Sequence, residues 1–412
     1  MKVLVLGAGA VGTVSALKFA KEAMVERLVI ADAVPARAEA LAARLKDPRV
    51  RTLRLDAVDR DALVRAFREQ GISILLNAAL PVTNLVVMRA CLEAGCDYID
   101  LASGGAEADG IPKLDDQFAL DREFRAAGRL ALLGMGADPG TSNVYAAYAA
   151  KHLLDEVHEF RIRDGDNAVC AGHDGLLAAF SPWVFIDECL CGAISWRDGR
   201  YHLEEALSGL EQFNFPELGV LNTYHVDHEE SRTLPRFFPG LRAADFKLCM
   251  DDQTWQTLKV MKQLGISRKD RIRVGGVEVA PRDVVVALLP DPASLAGRLR
   301  GKTCVGTLAS GIKDGEERTF YIYNVTDHQA AHAELGVQAT AYQTGIPPVI
   351  AATLMAEGIW RGVGVLSPEQ LDPDPFLARL GCAGMPWHVR DEHTLQIDPQ
   401  DAPEPERQLI AA

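Results

Sequence analysis

The feature that most narrows what this chain can become is a glycine triplet in a fixed setting. Gly7, Gly9 and Gly12 follow the apolar run 2–6 and precede 13–24, where apolar residues recur at helical spacing. In a strand, turn and helix of this kind each glycine has its own task. Gly7 permits the tight turn, Gly9 admits a pyrophosphate to the backbone, and Gly12 lets the helix pack closely on the strand. The free N–H groups of the helix N-terminus, in the turn Ala10-Val11-Gly12, then face the anion. A second apolar run at 28–31 ends in Asp32, and 36–45 reads as a helix with Pro35 near its first turn, which completes a βαβ unit.

The alternation continues with strands at 50–55, 72–76, 98–101 and 130–133 and helices at 59–70, 82–94 and 115–127. Strands separated by long helices predict a parallel sheet covered on both faces, wound by right-handed crossovers. After Asp138-Pro139-Gly140 the pattern changes. A helix at 144–153 leads to shorter, more aromatic segments. Those at 158–163, 193–196, 246–250, 277–279, 302–309 and 319–325 read as strands of a mixed sheet, with helices at 253–264 and 281–289 among them. The predicted fold class is α/β: an N-terminal Rossmann doubly wound parallel sheet plus a second α+β domain with a mixed sheet. The expected divisions are a coenzyme-binding domain at 1–140 and a substrate-binding and dimerisation domain at 141–343. A segment at 344–397, with an alanine-rich helix at 347–358, returns to the first domain, and a tail at 398–412 is expected to be disordered.

Composition excludes several classes. A formal charge of −14 repels phosphate backbones, so no nucleic acid partner is expected, and it mildly favours an amine substrate. The eight cysteines are scattered with no C-x-x-C pair, which reads as reduced thiols and no metal site. The first strand begins at Lys2, leaving no room for a signal peptide, and no apolar run approaches the ~20 residues that span a bilayer. A cytoplasmic homodimer without membrane contact is expected.

Residues at the carboxyl ends of the predicted strands are candidates for the coenzyme. Asp32 would accept hydrogen bonds from the adenosine ribose, which favours NAD. NADP is the alternative, with Arg37 as its phosphate contact. Asp56 would meet the adenine amino group, and Asn77, Ala78, Ala79 and Leu80 would border the nicotinamide ribose. The plain alternatives are that Asp32 caps a helix and that Asn77 closes a turn.

Longer runs carry a resemblance. N-A-A-L-P at 77–81, C-L-E-A-G-C-D-Y-I-D at 91–100 and G-x-G-A-D-P-G-T-S-N-V at 134–144 resemble runs of the saccharopine dehydrogenase-like enzymes. F-P-E-L-G at 215–219, H-E-E at 228–230, L-P-D-P-A-S-L at 289–295, G-K-T-C-V-G at 301–306, T-G-I-P at 344–347 and D-P-D-P-F at 372–376 are similar to the carboxynorspermidine dehydrogenase branch. The likeness runs in order along nearly the whole chain. It implies an NAD(P)-dependent reductive condensation of a diamine or amino acid with an aldehyde such as aspartate semialdehyde, through an imine. The alternatives are an oxidative reaction of the lysine 6-dehydrogenase or saccharopine dehydrogenase type, and a non-catalytic NAD(P)H-sensing scaffold. The stretch 170–196 departs from the branch, as does Asp32.

Chemistry of that kind needs a proton donor, acidic groups for the amine and a clamp for a carboxylate. Asp138, His228, Glu229 and Lys302 are the catalytic candidates. Pro139, Gly140, Lys247, Thr344 and Gly345 are the candidates for substrate contact. Glu230 extends the acidic run, and Trp183, Trp255 and Tyr342 are candidate stacking surfaces. Each has a plainer alternative: a D-P-G turn, a solvated charge run, edge-strand lysines, or aromatic core.

Overall fold

A computed structural model describes residues 1–103, 114–173 and 175–392. The predicted tail at 398–412 lies outside the described residues.

The first six strands are β1 (Lys2–Leu6), β2 (Arg27–Asp32), β3 (Val50–Arg54), β4 (Ile74–Asn77), β5 (Asp97–Asp100) and β6 (Leu130–Leu132). They pair in parallel in the order β6-β5-β4-β1-β2-β3, and Gly364–Leu366 adds a seventh strand beside β6. Uninterrupted runs such as Val3-Leu4-Val5 and Leu28-Val29-Ile30 are buried because helices cover both faces. β1 lies between β4 and β2, so the connections after β1 and β4 depart to opposite sides and leave a crevice at the carboxyl edge.

A nine-stranded mixed sheet forms the second layer. Its central strand, β7 (Glu156–Asp166), runs parallel to Ala243–Cys249 and antiparallel to Lys302–Lys313. One face packs on the helix Thr141–Tyr148, where Thr307 Oγ1 donates to Ser142 O at 2.8 Å.

Three expectations are corrected. The helix at 115–127 is two short helices, Leu114–Phe118 and Asp121–Ala127. The helix at 144–153 starts earlier, at Thr141, and closes in a π-helical turn, Ala149–Leu153. Val277–Val279 is a strand but lies outside the mixed sheet: it pairs with Ile272–Val274 alone, through the tight Gly275-Gly276 turn. Strands at Arg200–Glu204, Glu211–Phe215, Gly219–His225 and Trp387–Asp391, and helices at Pro182–Leu190 and Glu230–Phe237, have no counterpart in the sequence reading.

The returning chain meets the glycine turn through one small residue. The helix Ala339–Gly345 crosses α1 (Ala10–Phe19) so closely that a Cβ on Gly345 would lie 2.6 Å from Val14 Cβ and 2.8 Å from Val11 O. Ser15 Oγ donates to Gly345 O at 2.8 Å. Gly345→Ala is expected to lower the thermal unfolding midpoint by an overpacking penalty of about 1–3 kcal/mol and to weaken coenzyme binding. A wild-type melting curve together with wild-type NADH affinity would show that the two helices can separate freely.

Candidate active site

The coenzyme crevice is built from backbone. Gly7, at φ +105°, donates its N–H to Ala31 O at 2.7 Å, and a Cβ there would sit 2.6 Å from Ala78 O. A Cβ on Gly12 would lie 1.9 Å from Gly7 O, so only glycine lets α1 begin this close to β1. Gly9 differs: it is exposed, and a Cβ there meets nothing within 4 Å. As the N-cap of α1 it offers no side chain, so the first-turn N–H groups at Ala10, Val11 and Gly12 open onto that space. This uncapped cradle fits a diphosphate.

Asp32 ends β2 beside the cradle. Its Oδ2 accepts from Ala8 N and its Oδ1 from Val34 N, both at 2.8 Å. The carboxylate therefore braces the glycine turn, and each oxygen keeps a second lone pair for a ribose hydroxyl. It does not cap the next helix, whose N-cap is Val34. Arg37 is exposed, with Asp291 3.9 Å away, and Asp56 is exposed at the end of β3. Ala78, Ala79 and Leu80 retain accessible surface along the crevice. Asn77 is corrected: it is 1% exposed, donates to Asn84 Oδ1 at 2.9 Å and accepts from Ala79 N at 3.2 Å. It shapes the loop from inside.

Across the crevice the second sheet delivers acids. His228 follows the strand Gly219–His225, and its ring stacks on Phe246 with centroids 3.8 Å apart. His228 Nδ1 pairs with Glu230 Oε2 at 2.6 Å. Glu230 Oε1 accepts from Ser142 Oγ at 2.7 Å, and Glu229 Oε1 accepts from Ser103 N at 2.5 Å and Ser103 Oγ at 3.0 Å. Burial alone would discharge the imidazole, but the Glu230, Glu188 and Glu229 carboxylates outweigh it and hold His228 well above its ordinary pKa. One ligand atom from each of these three residues lies within 4.8 Å of the others, close enough for a cation. Those groups are already engaged with each other and with Ser103 and Ser142, so the cluster reads as a proton network.

Beside it stand Asp138, Asp164 and Glu188, half-buried residues whose carboxyls feel the charge of His228, with Asp164 and Glu188 also acting on Asp138. Burial, with Asp166 nearby, pushes Asp164 up to about 7, and burial beside Glu229, Asp227 and Asp187 pushes Glu188 up to about 8. Asp138 is likewise raised well above the usual carboxylate range, by burial and by the Asp164 charge. Its Oδ2 is buried and accepts no hydrogen bond. None of the three is ion-paired to a lysine or arginine among the described residues.

Several candidates lie elsewhere. Lys247 and Lys302 are corrected by the two-residue period of a strand, because Phe246 and Leu248, Thr303 and Val305 face the cleft with Asp164. Lys247 pairs with Glu211 at 2.7 Å and Lys302 with Glu217 at 2.7 Å on the far face. Pro139 and Gly140 are buried in a turn where Gly136 N donates to Pro139 O at 2.7 Å, so they form the mount for Asp138. Gly345 is consumed by packing on α1, while Thr344 stays partly accessible, with its methyl next to Gly136. Tyr342 donates to Glu334 at 2.5 Å beside Lys18, Trp255 packs against Tyr224, and Trp183 carries two cations on its ring. The sequence reading missed Asp164 and Glu188. The available signal was an aspartate in register with the core-facing residues Phe160 and Ile162, and a glutamate inside the apolar run F-I-D-E-C-L.

Comparison with known proteins accords with this geometry. The descriptions Saccharopine dehydrogenase NADP binding domain and Saccharopine dehydrogenase C-terminal domain match residues 3–132 and 136–385. Carboxyaminopropylagmatine dehydrogenase of Synechocystis sp. is 38% identical over 391 residues, covering 94% of this chain and 97% of its own. Carboxynorspermidine synthase of Vibrio cholerae is 33% identical, covering 97% and 99%. The apo structure of saccharopine dehydrogenase (L-Glu forming) from Saccharomyces cerevisiae shares the fold, with a TM-score of 0.70 at 16% identity over 95% of this chain and 99% of that one. The chain belongs to the saccharopine dehydrogenase family and is a nicotinamide-dependent oxidoreductase.

Proposed function

We propose that the protein joins a polycationic amine to a short aldehyde, such as aspartate semialdehyde, and reduces the resulting imine to a secondary amine. The observation that carries this reading is the group Asp138, Asp164 and Glu188, three carboxyls that face one imidazolium, His228, and are ion-paired to no lysine or arginine among the described residues. A low-dielectric site that holds more acids than cations favours a ligand that brings positive charge. The names of the relatives point the same way, since both describe carboxylated polyamines.

Each step has a residue suited to it. The ammonium, RNH3⁺, must lose a proton before nitrogen attacks the carbonyl carbon, and the Asp138–Asp164 pair is placed to accept it. Loss of water from the adduct needs an acid. His228, held protonated by Glu230, has Nδ1 committed and leaves Nε2 to deliver that proton. Glu188 would hold a second cationic centre of the amine. When bound in the glycine cradle, the reduced coenzyme supplies the hydride that, with one proton, converts the imine into the secondary amine and leaves NAD(P)⁺. Asp32 at the ribose end favours NAD, with Arg37 the contact that NADP would require.

Purified protein should oxidise NAD(P)H only when an aldehyde such as aspartate semialdehyde and an amine are both present, from a panel of propanediamine, butanediamine, agmatine and lysine. NAD reduction by lysine alone would instead establish the oxidative reaction. Amine affinity should rise with pH, because a cation pairs only with ionised carboxylates and these two titrate near about 7 and about 8. Below that window, amine binding should release protons, visible as buffer-dependent heats in calorimetry; heats independent of buffer would remove Asp164 and Glu188 from the amine site. Asp32→Ser should move the kcat/KM ratio toward NADPH by about tenfold or more. An unmoved ratio would leave the aspartate as a brace for the glycine turn alone.

A further inference from the structure

The helix Pro182–Leu190 carries two neighbouring acids that the fold treats in opposite ways. Asp187 is 4% exposed, and its Oδ1 takes both Arg282 Nη1 and Lys269 Nζ at 2.7 Å. Arg282 is itself buried and donates Nε to Ser267 O at 2.8 Å. Both cations lie over the Trp183 ring, 4.7 Å away for Lys269 and 5.2 Å for Arg282. Glu188, the very next residue, stands in the cleft among other acids.

Successive residues of an α-helix point about 100° apart, so whatever fixes Asp187 also fixes the direction in which Glu188 leaves the helix. Pro182, Phe185, Ile186, Cys189 and Leu190 form an apolar stripe that turns one face of this helix to the core and sets its rotation to within the width of that stripe. The ion cluster narrows that range, because both donors converge on a single oxygen and one of them is locked to a backbone carbonyl.

We propose that Arg282, together with Lys269, is a positioning residue for the amine: through Asp187 it pins the helix Pro182–Leu190 within the range its apolar stripe allows and holds the Glu188 carboxylate beside His228. The proposal rests on the amine-site reading above. Glu188 faces His228, Glu229 and Asp227 from the connection into the helix Glu230–Phe237, Asp138 from the turn after β6, and Asp187 on its own helix. Without Arg282, Asp187 keeps one cation only, its field on Glu188 grows, and Glu188 holds its proton to higher pH. A protonated Glu188 cannot pair with an ammonium.

The test compares wild type, Arg282→Gln, Arg282→Lys and Lys269→Gln in steady state with the best amine of the panel, over pH values spanning the Glu188 titration. Arg282→Gln should raise the amine KM about tenfold near neutrality and move the pH at which that KM levels off upward. The aldehyde KM and the coenzyme affinity should stay within about twofold. Arg282→Lys should restore most of the loss. Lys269→Gln, at the more accessible cation, should show the same split and replaces Arg282→Gln if that variant does not fold. An amine KM and pH profile matching wild type in the glutamine variants would overturn the proposal. So would a joint rise of all three constants that Arg282→Lys fails to rescue. Wild-type protein that turns over none of the amines would overturn the proposed function itself, which keeps the two failures apart.

Discussion

Two hydroxyl-to-carboxylate contacts hold the chemistry of this protein together. Ser103, just beyond β5, donates to Glu229, and Ser142, at the head of the helix behind the mixed sheet, donates to Glu230. A carboxylate taken out of water needs donors, and charge-assisted donors are the strong ones. By meeting that need from the coenzyme-binding sheet and from the helix Thr141–Tyr148, the fold pulls the His228 connection onto the crevice rim. Everything placed there follows: the imidazole over Phe246, the Glu230 contact that keeps it charged, and the acids of β7 and of the helix Pro182–Leu190 behind it.

The mixed sheet handles charge in two ways on its two faces. On the far face Arg163, 1% exposed, is paired with Glu211 at 2.9 Å and Asp245 at 2.6 Å, and Lys247 closes on Glu211. That network is complete: burial works against the Arg163 charge, yet its two acids keep it fully ionised, and Glu211 and Asp245 stay below the usual carboxylate range. On the cleft face Asp164 stands in the same strand one residue later, beside Asp138 and His228, with no lysine or arginine partner among the described residues. The same strand therefore carries a closed ion cluster on one side and, on the other, an acid that shares a hydrogen bond with a second acid, Asp138. A single-residue step along a strand changes which face a side chain joins. A half-satisfied polar group is costly unless something arrives to complete it, so the cleft face has the character of a binding surface and the far face that of structure.

Much of the coenzyme half could be read from local pattern. Gly7, Gly9 and Gly12 announced their roles because turn geometry and close packing leave few substitutes, and Asp32 stood where the second strand had to end. The catalytic half was legible only in part. His228 and Glu229 drew notice as a titratable run, yet Lys247 and Lys302 drew equal notice and belong to the other face. Asp164 and Glu188 were passed over, since an acid within a strand or an apolar helix gives no local sign of whether it faces solvent, a cation or a cleft.

The amino-acid sequence by itself determined the βαβ order, the anion cradle at the start of α1 and the family, because these depend on short-range geometry and on runs of residues in fixed order. Tertiary structure alone decided which charges meet. It brought Ser103 to Glu229 across 126 positions, set Arg282 against Asp187 across 95, and gathered Asp138, Asp164 and Glu188 around His228 with no lysine or arginine paired to them among the described residues. The reason is physical: electrostatic energy in a protein depends on distance and on the exclusion of water, and neither is fixed until both sheets have closed around the cleft.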